Sequence, residues 1–267
     1  MKRCVAVILS ALLMLSLLGG CGNSKTEEST TKEQASSETA SDASEEGTAA
    51  SDTEADEELK LDKKVEIKTP SKVDQTGAPE EGETVAVIHV KNYGDISVKF
   101  FYEDSPLAVE NFLTLAANGY YDGVIFHRVI ADFMIQGGDP TGTGMGGTSM
   151  WGKEFANEYS DRLAQINGSL AMARTQELDT NGSQFFINNG KQPTDEQLAD
   201  LDISDEMKEL FKEKGGNPWL QGQYTVFGQV YEGMDVVDAI SATATDTNDK
   251  PVEDIVIESI EVTEYSK

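Results

Sequence analysis

The chain has 267 residues and a formal net charge of −27, of which about −11 falls in residues 22–83. So acidic a surface argues against nucleic acid, whose binding depends on neutralising phosphates with Lys and Arg, and predicts repulsion from anionic lipid headgroups. Both cysteines, Cys4 and Cys21, lie in the N-terminal segment, which excludes a disulfide or a cysteine-based metal site in the globular part.

The N-terminus opens with Lys2-Arg3 and an apolar run from Val5 to Leu18. That run is short for a transmembrane helix and right for a secretory h-region. It ends in Leu18-Gly19-Gly20-Cys21, which resembles a bacterial lipobox. The resemblance implies a lipoprotein signal peptide over 1–20, with Cys21 as the lipid-modified new N-terminus and a membrane-anchored protein facing outside the cytoplasm. Residues 21–83 follow, rich in Ser, Thr, Glu, Asp and Ala and nearly free of aromatics. Such a composition buries too little apolar surface to offset the entropy of ordering. It reads as an acidic, disordered tether with a span of about 40–45 Å if it behaves as a flexible coil. Leu59 to Val73 carries enough apolar content for partial order. The folded domain is then expected over 84–267.

Within that domain Thr84 to Lys91 alternates and is β-branched, Asn92-Tyr93-Gly94-Asp95 supplies turn chemistry, and Ile96 to Phe101 returns as a second strand. Ser105-Pro106 predicts a helix start, with Ser as N-cap and Pro in the first turn. Val109, Phe112, Leu113 and Ala116 fall on one helical face, and Gly119 ends it. Further on, Gly142, Gly144 and Gly147 formally fit a dinucleotide fingerprint. No buried strand leads in and no helix pattern follows, so the spacing is rejected as such a site. Ser169 to Ala173 and Gln184 to Asn188 read as strands. The stretch from Gly190 to Pro218 shows Leu198, Leu201, Met207, Leu210 and Phe211 among many charges, which suggests one or two amphipathic helices. Met234, Val237 and Ile240 suggest a last helix, and Pro251 to Tyr265 a final strand. The inward phase of that strand shifts near Glu258-Ser259, as a bulge would make it.

Phe126 to Asp139 sets His127, Arg128 and Gln136 among Val129, Ile130, Phe133, Met134 and Ile135. Polar groups in a buried run are costly without partners, so three of them ask for a reason. Asn181-Gly182-Ser183-Gln184-Phe185-Phe186-Ile187 repeats the mixture of aromatic and amide side chains, as do Trp219-Leu220 and Tyr224-Thr225-Val226-Phe227-Gly228. These three stretches, in this order, resemble the cyclophilin family of peptidyl-prolyl cis-trans isomerases from about Thr84 to the C-terminus. The resemblance implies a mainly β fold: a closed antiparallel eight-stranded barrel capped by two α-helices. To this the chain adds a helical insertion at about 190–218, where family members can use a much shorter connection.

The resemblance also implies roles. Arg128 is the hydrogen-bond donor to the rotating Xaa-Pro bond. Phe133, Met134, Phe186 and Leu220 line a proline-ring pocket, Gln136 fixes the substrate backbone, and Ala173 and Gln184 are further wall positions. His127 supports the arginine. Trp219 stands where a family tryptophan contributes to binding cyclosporin. Tyr224 departs from members that carry histidine at the pocket edge, and Arg174 stands where many have asparagine, so peptide preference is expected to differ. No cofactor or metal is expected, and a monomer is.

Rotation about an Xaa-Pro bond meets a barrier of about 18–20 kcal/mol and breaks no bond. A dry apolar pocket with one aimed donor suffices, provided it fits the twisted amide better than either planar form. Two other classes remain open. One is a binding module that holds proline peptides without turning them; the presence of Arg128 and the pocket aromatics argues against it. The other is a hydrolase using His127 or His89. It lacks a Ser-centred turn motif, and His127 lies beside a guanidinium that opposes formation of an imidazolium. The expected activity is isomerisation of Xaa-Pro bonds in exported proteins at the membrane surface.

Overall fold

A computed structural model describes residues 59–267. The signal-peptide reading, Cys21 and the first part of the expected tether lie outside the described residues. No helix among the described residues is long and apolar enough to cross a membrane.

The alternating first segment forms the expected hairpin, β1 (Thr84–Val90) and β2 (Gly94–Phe100). Asn92 at φ 66 carries the turn in the left-handed region, which Asn tolerates better than most residues. Helix α1 (Pro106–Ala117) follows, with Val109, Phe112, Leu113 and Ala116 buried as its periodicity predicts. Its start differs from expectation. Ser105 makes no capping bond; its hydroxyl donates to the Val226 carbonyl. The Glu158 carboxylate instead accepts from the amides of Leu107 and Ala108, each at 3.0 Å. A carboxylate there meets the orphan donors and the positive end of the helix dipole.

The central stretch is a short hairpin, β3 (Arg128–Ile130) and β4 (Met134–Gly137), turning through Asp132 at φ 59. Then come β5 (Ser169–Met172), β6 (Phe185–Asn188), α2 (Asp195–Ala199), α3 (Asp205–Lys214), a 3-10 turn at Pro218–Leu220, β7 (Val226–Glu232), α4 (Met234–Ser241) and β8 (Ile257–Glu264). The bulge expected near Glu258 is present, since Ser259 pairs with His89 while Ile257 pairs with Val90.

The eight strands form one antiparallel sheet in the order β3-β4-β6-β5-β7-β2-β1-β8. It curls as an open half-barrel, not the closed barrel expected from sequence. The edge strands β3 and β8 share no ladder. Their flanks meet through an isolated bridge, Ile125 to Val256, and a bond from the Phe126 amide to the Ile255 carbonyl. β3 is only three residues long, and the pairing across the seam falls on the residues before it, so β3 itself has no partner strand on that side. The concave interior holds Ile88, Ile96, Val98, Phe112, Phe185 and Phe227 with α1 and α4 packed on it.

In the insertion, α2 is capped by Thr194 in a reciprocal capping box with Gln197, and α3 by Ser204. Leu198 and Phe211 bury their side chains against Ala164 and Ile166. Leu59 to Val73, where partial order was expected, packs on the folded domain, and residues 74–83 differ from their reading as disordered tether. Leu59, Leu61, Val65 and Ile67 pack on the main core. Lys68 and Thr84 exchange a backbone bond at 2.9 Å and an amide-to-hydroxyl bond at 2.8 Å. The ordered unit therefore begins well before Thr84.

Candidate functional site

The outer face of the sheet carries a second apolar cluster, separate from the interior core. It contains Met134, Ala171, Phe186, Leu220 and Val226, with Phe133, Ala173 and Tyr224 packed at its margin. Strand pairing explains this gathering. Gln136 on β4 lies opposite Phe186 on β6, and Phe186 lies opposite Ala171 on β5. Side chains alternate faces along a strand, so the set that faces out does so together. Phe186 meets Tyr224 edge-on with ring centres 5.6 Å apart, and Phe133 stacks on Trp219 at 6.1 Å. Trp219 is 46 % exposed, so it forms a rim.

Arg128 faces Gln136 across the β3–β4 pair. Its side chain is 44 % exposed, and its Nε lies 3.5 Å from an Asp249 carboxylate oxygen. That contact engages the inner nitrogen of the guanidinium. Asp249 sits in a loop at φ 64, and its carbonyl also accepts from the Val129 amide.

The amides form a relay. Gln136 Nε2 donates to Gln184 Oε1 at 2.9 Å, and Gln184 Nε2 donates to the carbonyls of Gly144 and Gly146 at 3.1 and 2.9 Å. The glycine-rich loop that supplies those carbonyls is tied around Asp139, which is buried. Its carboxylate accepts from the amides of Thr141, Thr143, Gly144 and Gly146 and from the Thr141 hydroxyl. Burial alone would raise the pKa of Asp139. The Thr141, Gly146 and Gly144 bonds overcome this and bring it down to about 2.

Two cavities meet at Gln136. One of about 470 Å³ is lined by Gly144, Gly146, Ala173, Arg174 and Gln184. The other, of about 480 Å³, is lined by His127, Arg128, Thr143, Asp246 and Lys250. His127 is buried, and neither ring nitrogen has a hydrogen-bond partner. Burial lowers its pKa below the usual histidine value, opposed by Asp139 and reinforced by Arg128 and Lys250. It is thus a neutral wall of the arginine's cavity, without the acid partner a general base in a hydrolytic triad needs.

The structure brings together Arg128, Phe133, Met134, Gln136, Ala173, Gln184, Phe186, Trp219, Leu220 and Tyr224, all singled out from sequence. His127 adjoins them from the buried side, and Cys21 lies outside the described residues. Asp249 and Asp139 were missed. The Asp139-Pro140-Thr141-Gly142 run is a turn signal that could have flagged the second; nothing local flags the first.

A family model described as cyclophilin type peptidyl-prolyl cis-trans isomerase/CLD matches residues 85–262. Proteins of Staphylococcus epidermidis and Staphylococcus aureus, both named as peptidyl-prolyl cis-trans isomerases, are 48 % identical over 188 residues, covering 69 % of this chain and 94 % of theirs. Among solved structures, a Cryptosporidium parvum cyclophilin type peptidyl-prolyl cis-trans isomerase aligns with TM-score 0.57 and 34 % identity, over 68 % of this chain and 99 % of its own. The same protein crystallised in the presence of the dipeptide Ala-Pro aligns at 0.56.

Proposed function

The chain belongs to the cyclophilin-type peptidyl-prolyl cis-trans isomerase family and is such an enzyme, and from that premise we propose how its residues work and on what. The proline ring of the substrate enters the outer apolar cluster of Phe133, Met134, Phe186 and Leu220. Arg128 donates to the rotating amide and to the proline nitrogen's lone pair as that nitrogen pyramidalises. Gln136, held by Gln184, fixes the substrate backbone, and Ala173 and Tyr224 shape the edge. His127 serves as a neutral packing partner for the arginine's cavity. The observation that carries this reading is the placement of one partly exposed guanidinium beside an apolar pocket, across a strand pair from a tethered amide.

Such a site needs to favour the twisted amide over the planar one. Each tenfold of rate takes about 1.4 kcal/mol, and a charge-assisted bond contributes roughly 1.5–3 kcal/mol. The substrates we infer are Xaa-Pro segments of unfolded, exported proteins, met by a monomeric enzyme anchored to the cell membrane through lipid on Cys21 and facing outside the cytoplasm. The lipobox-like Leu18-Gly19-Gly20-Cys21 supports that location. The exposed Trp219 ring supports a cyclosporin contact.

The test is cis-trans exchange of a proline peptide followed by NMR, with the whole protein and Arg128→Ala side by side. The wild type should speed exchange and the variant should lose most of it while still binding the peptide. Binding without acceleration by the wild type would instead make the domain a proline-peptide binding module.

A further inference from the structure

We propose that residues 73–78, which lie before the matched family region, are a working part of the proline pocket, with Gln75 and Lys99 as positioning residues. The inference rests on the pocket described above and extends it along the outer face of the sheet.

This strap lies along the outer face beside the site and is held at two points. Gln75 is 6 % exposed. Its amide reads both backbone groups of Ala164: Nε2 donates to the Ala164 carbonyl at 2.7 Å, and the Ala164 amide donates to Gln75 Oε1 at 2.8 Å. One side chain thus imitates a strand bridge. A further bond runs from Nε2 to Gln229 Oε1 at 3.1 Å. Lys99, on β2, is 3 % exposed. Its ammonium donates to the carbonyls of Asp74 and Gly77. A buried ammonium without such partners is costly, so the strap and Lys99 hold each other.

The ledge that Gln75 grips is the one from which a pocket wall hangs. Gln221 Nε2 donates to the Leu163 carbonyl at 2.8 Å, and the Gln165 amide donates to Gln221 Oε1 at 3.1 Å. Gln165 Nε2 donates to the Tyr224 carbonyl at 3.2 Å, and the Asn217 amide to the Gln165 carbonyl at 2.8 Å. Residues 217–224, which carry Trp219, Leu220 and Tyr224, are therefore fastened to Leu163–Gln165. Val73 adds direct packing, against the cluster that holds Leu163, Phe186 and Leu220. Arg128 stands apart from this chain of contacts, held by β4 and Asp249. Loosening the strap should shift the proline wall and leave the donor in place, so the loss falls on substrate affinity more than on turnover.

The experiment uses the full chain with Gln75→Ala and Val73→Ala. It measures peptide Kd by titration, KM and kcat for cis-trans exchange, Tm, and the methyl resonances of Val73 and Leu163 as proline peptide is added. The expected result is a three- to tenfold rise in Kd and KM with kcat within about twofold, and methyl shifts at Val73 and Leu163 in the wild type on binding. A lowered Tm with unchanged Kd and KM, and methyls that ignore the peptide, would overturn the proposal and leave the strap a stabilising wrap. If Gln75→Ala does not fold, Val73→Ala decides. If the wild type binds peptide without speeding exchange, the catalytic reading fails, while the Kd ratios still judge the strap.

Discussion

The Arg174 guanidinium lies 4.7 Å from the centre of the Tyr224 ring. Its Nε and Nη2 donate to the Gln223 carbonyl and its Nη1 to that of Thr175. The cation is thus pinned over a ring that packs at right angles to Phe186, which couples Arg174 to the residue proposed to shape the pocket edge. A cation–π contact at an exposed site contributes about 0.5–1 kcal/mol. Arg174→Ala is expected to weaken peptide binding about two- to fivefold, with kcat little changed and Arg174→Lys intermediate. Peptide titration with exchange kinetics checks this.

Gln184 accepts from Gln136 and donates to two loop carbonyls. Gln184→Ala should free both, at about 0.5–1.5 kcal/mol per lost bond, and raise peptide Kd by about tenfold. Gln184→Glu should do more harm, because its carboxylate would face the Gly144 and Gly146 carbonyls. Affinity measurements on the two variants rank them, and a Glu variant that binds as well as wild type would overturn the relay.

The buried Asp139 carboxylate has its pKa brought down to about 2 by loop hydrogen bonds. A depressed carboxylate stabilises the fold fully above its unfolded value of about 3.9. That contribution is lost as pH falls through about 2. Thermal melts of the wild type should therefore lose Tm below about pH 4, and Asp139→Asn should show a lower Tm at neutral pH and a flatter acid limb. Identical acid limbs in the two proteins would sink the assignment.

Phe211 is fully buried against Ala164 and Ile166. Phe211→Ala should cost about 3–5 kcal/mol, read as a shift in the urea midpoint. If the insertion is merely draped on the sheet, the midpoint will barely move.

Much of the fold is legible because its signals are local. The alternation of Thr84 to Val90, the helical spacing of Val109 to Ala116 and the phase shift at Glu258 each declare an element within a few residues. Nine of the ten site residues came from the resemblance of three short stretches, and Ala173 from a further matching position at the end of the strand Ser169 to Ala173. What stayed hidden depends on distant partners. Ser105 reads as a cap, yet the cap is Glu158, some fifty residues on. At the open seam the pairing falls on the residues before β3 and leaves β3 itself without a partner strand on that side. The strap has the composition of a tether, and partners far along the chain, among them Lys99, Ala164 and Gln229, convert it into structure. Asp249 joins Arg128 in the same long-range way.

An open sheet has two free margins, and the substrates proposed above are extended, unpaired segments. A bare margin would invite such a segment to lie down as a ninth strand. Here one margin is the three-residue β3, whose Val129 amide is already taken by the Asp249 carbonyl. The other is β8, where Glu258, Glu261 and Glu264 place repeated negative charge and the first residues are occupied by the Gly123–Phe126 backbone. Both margins are thus blunted against pairing with an added strand.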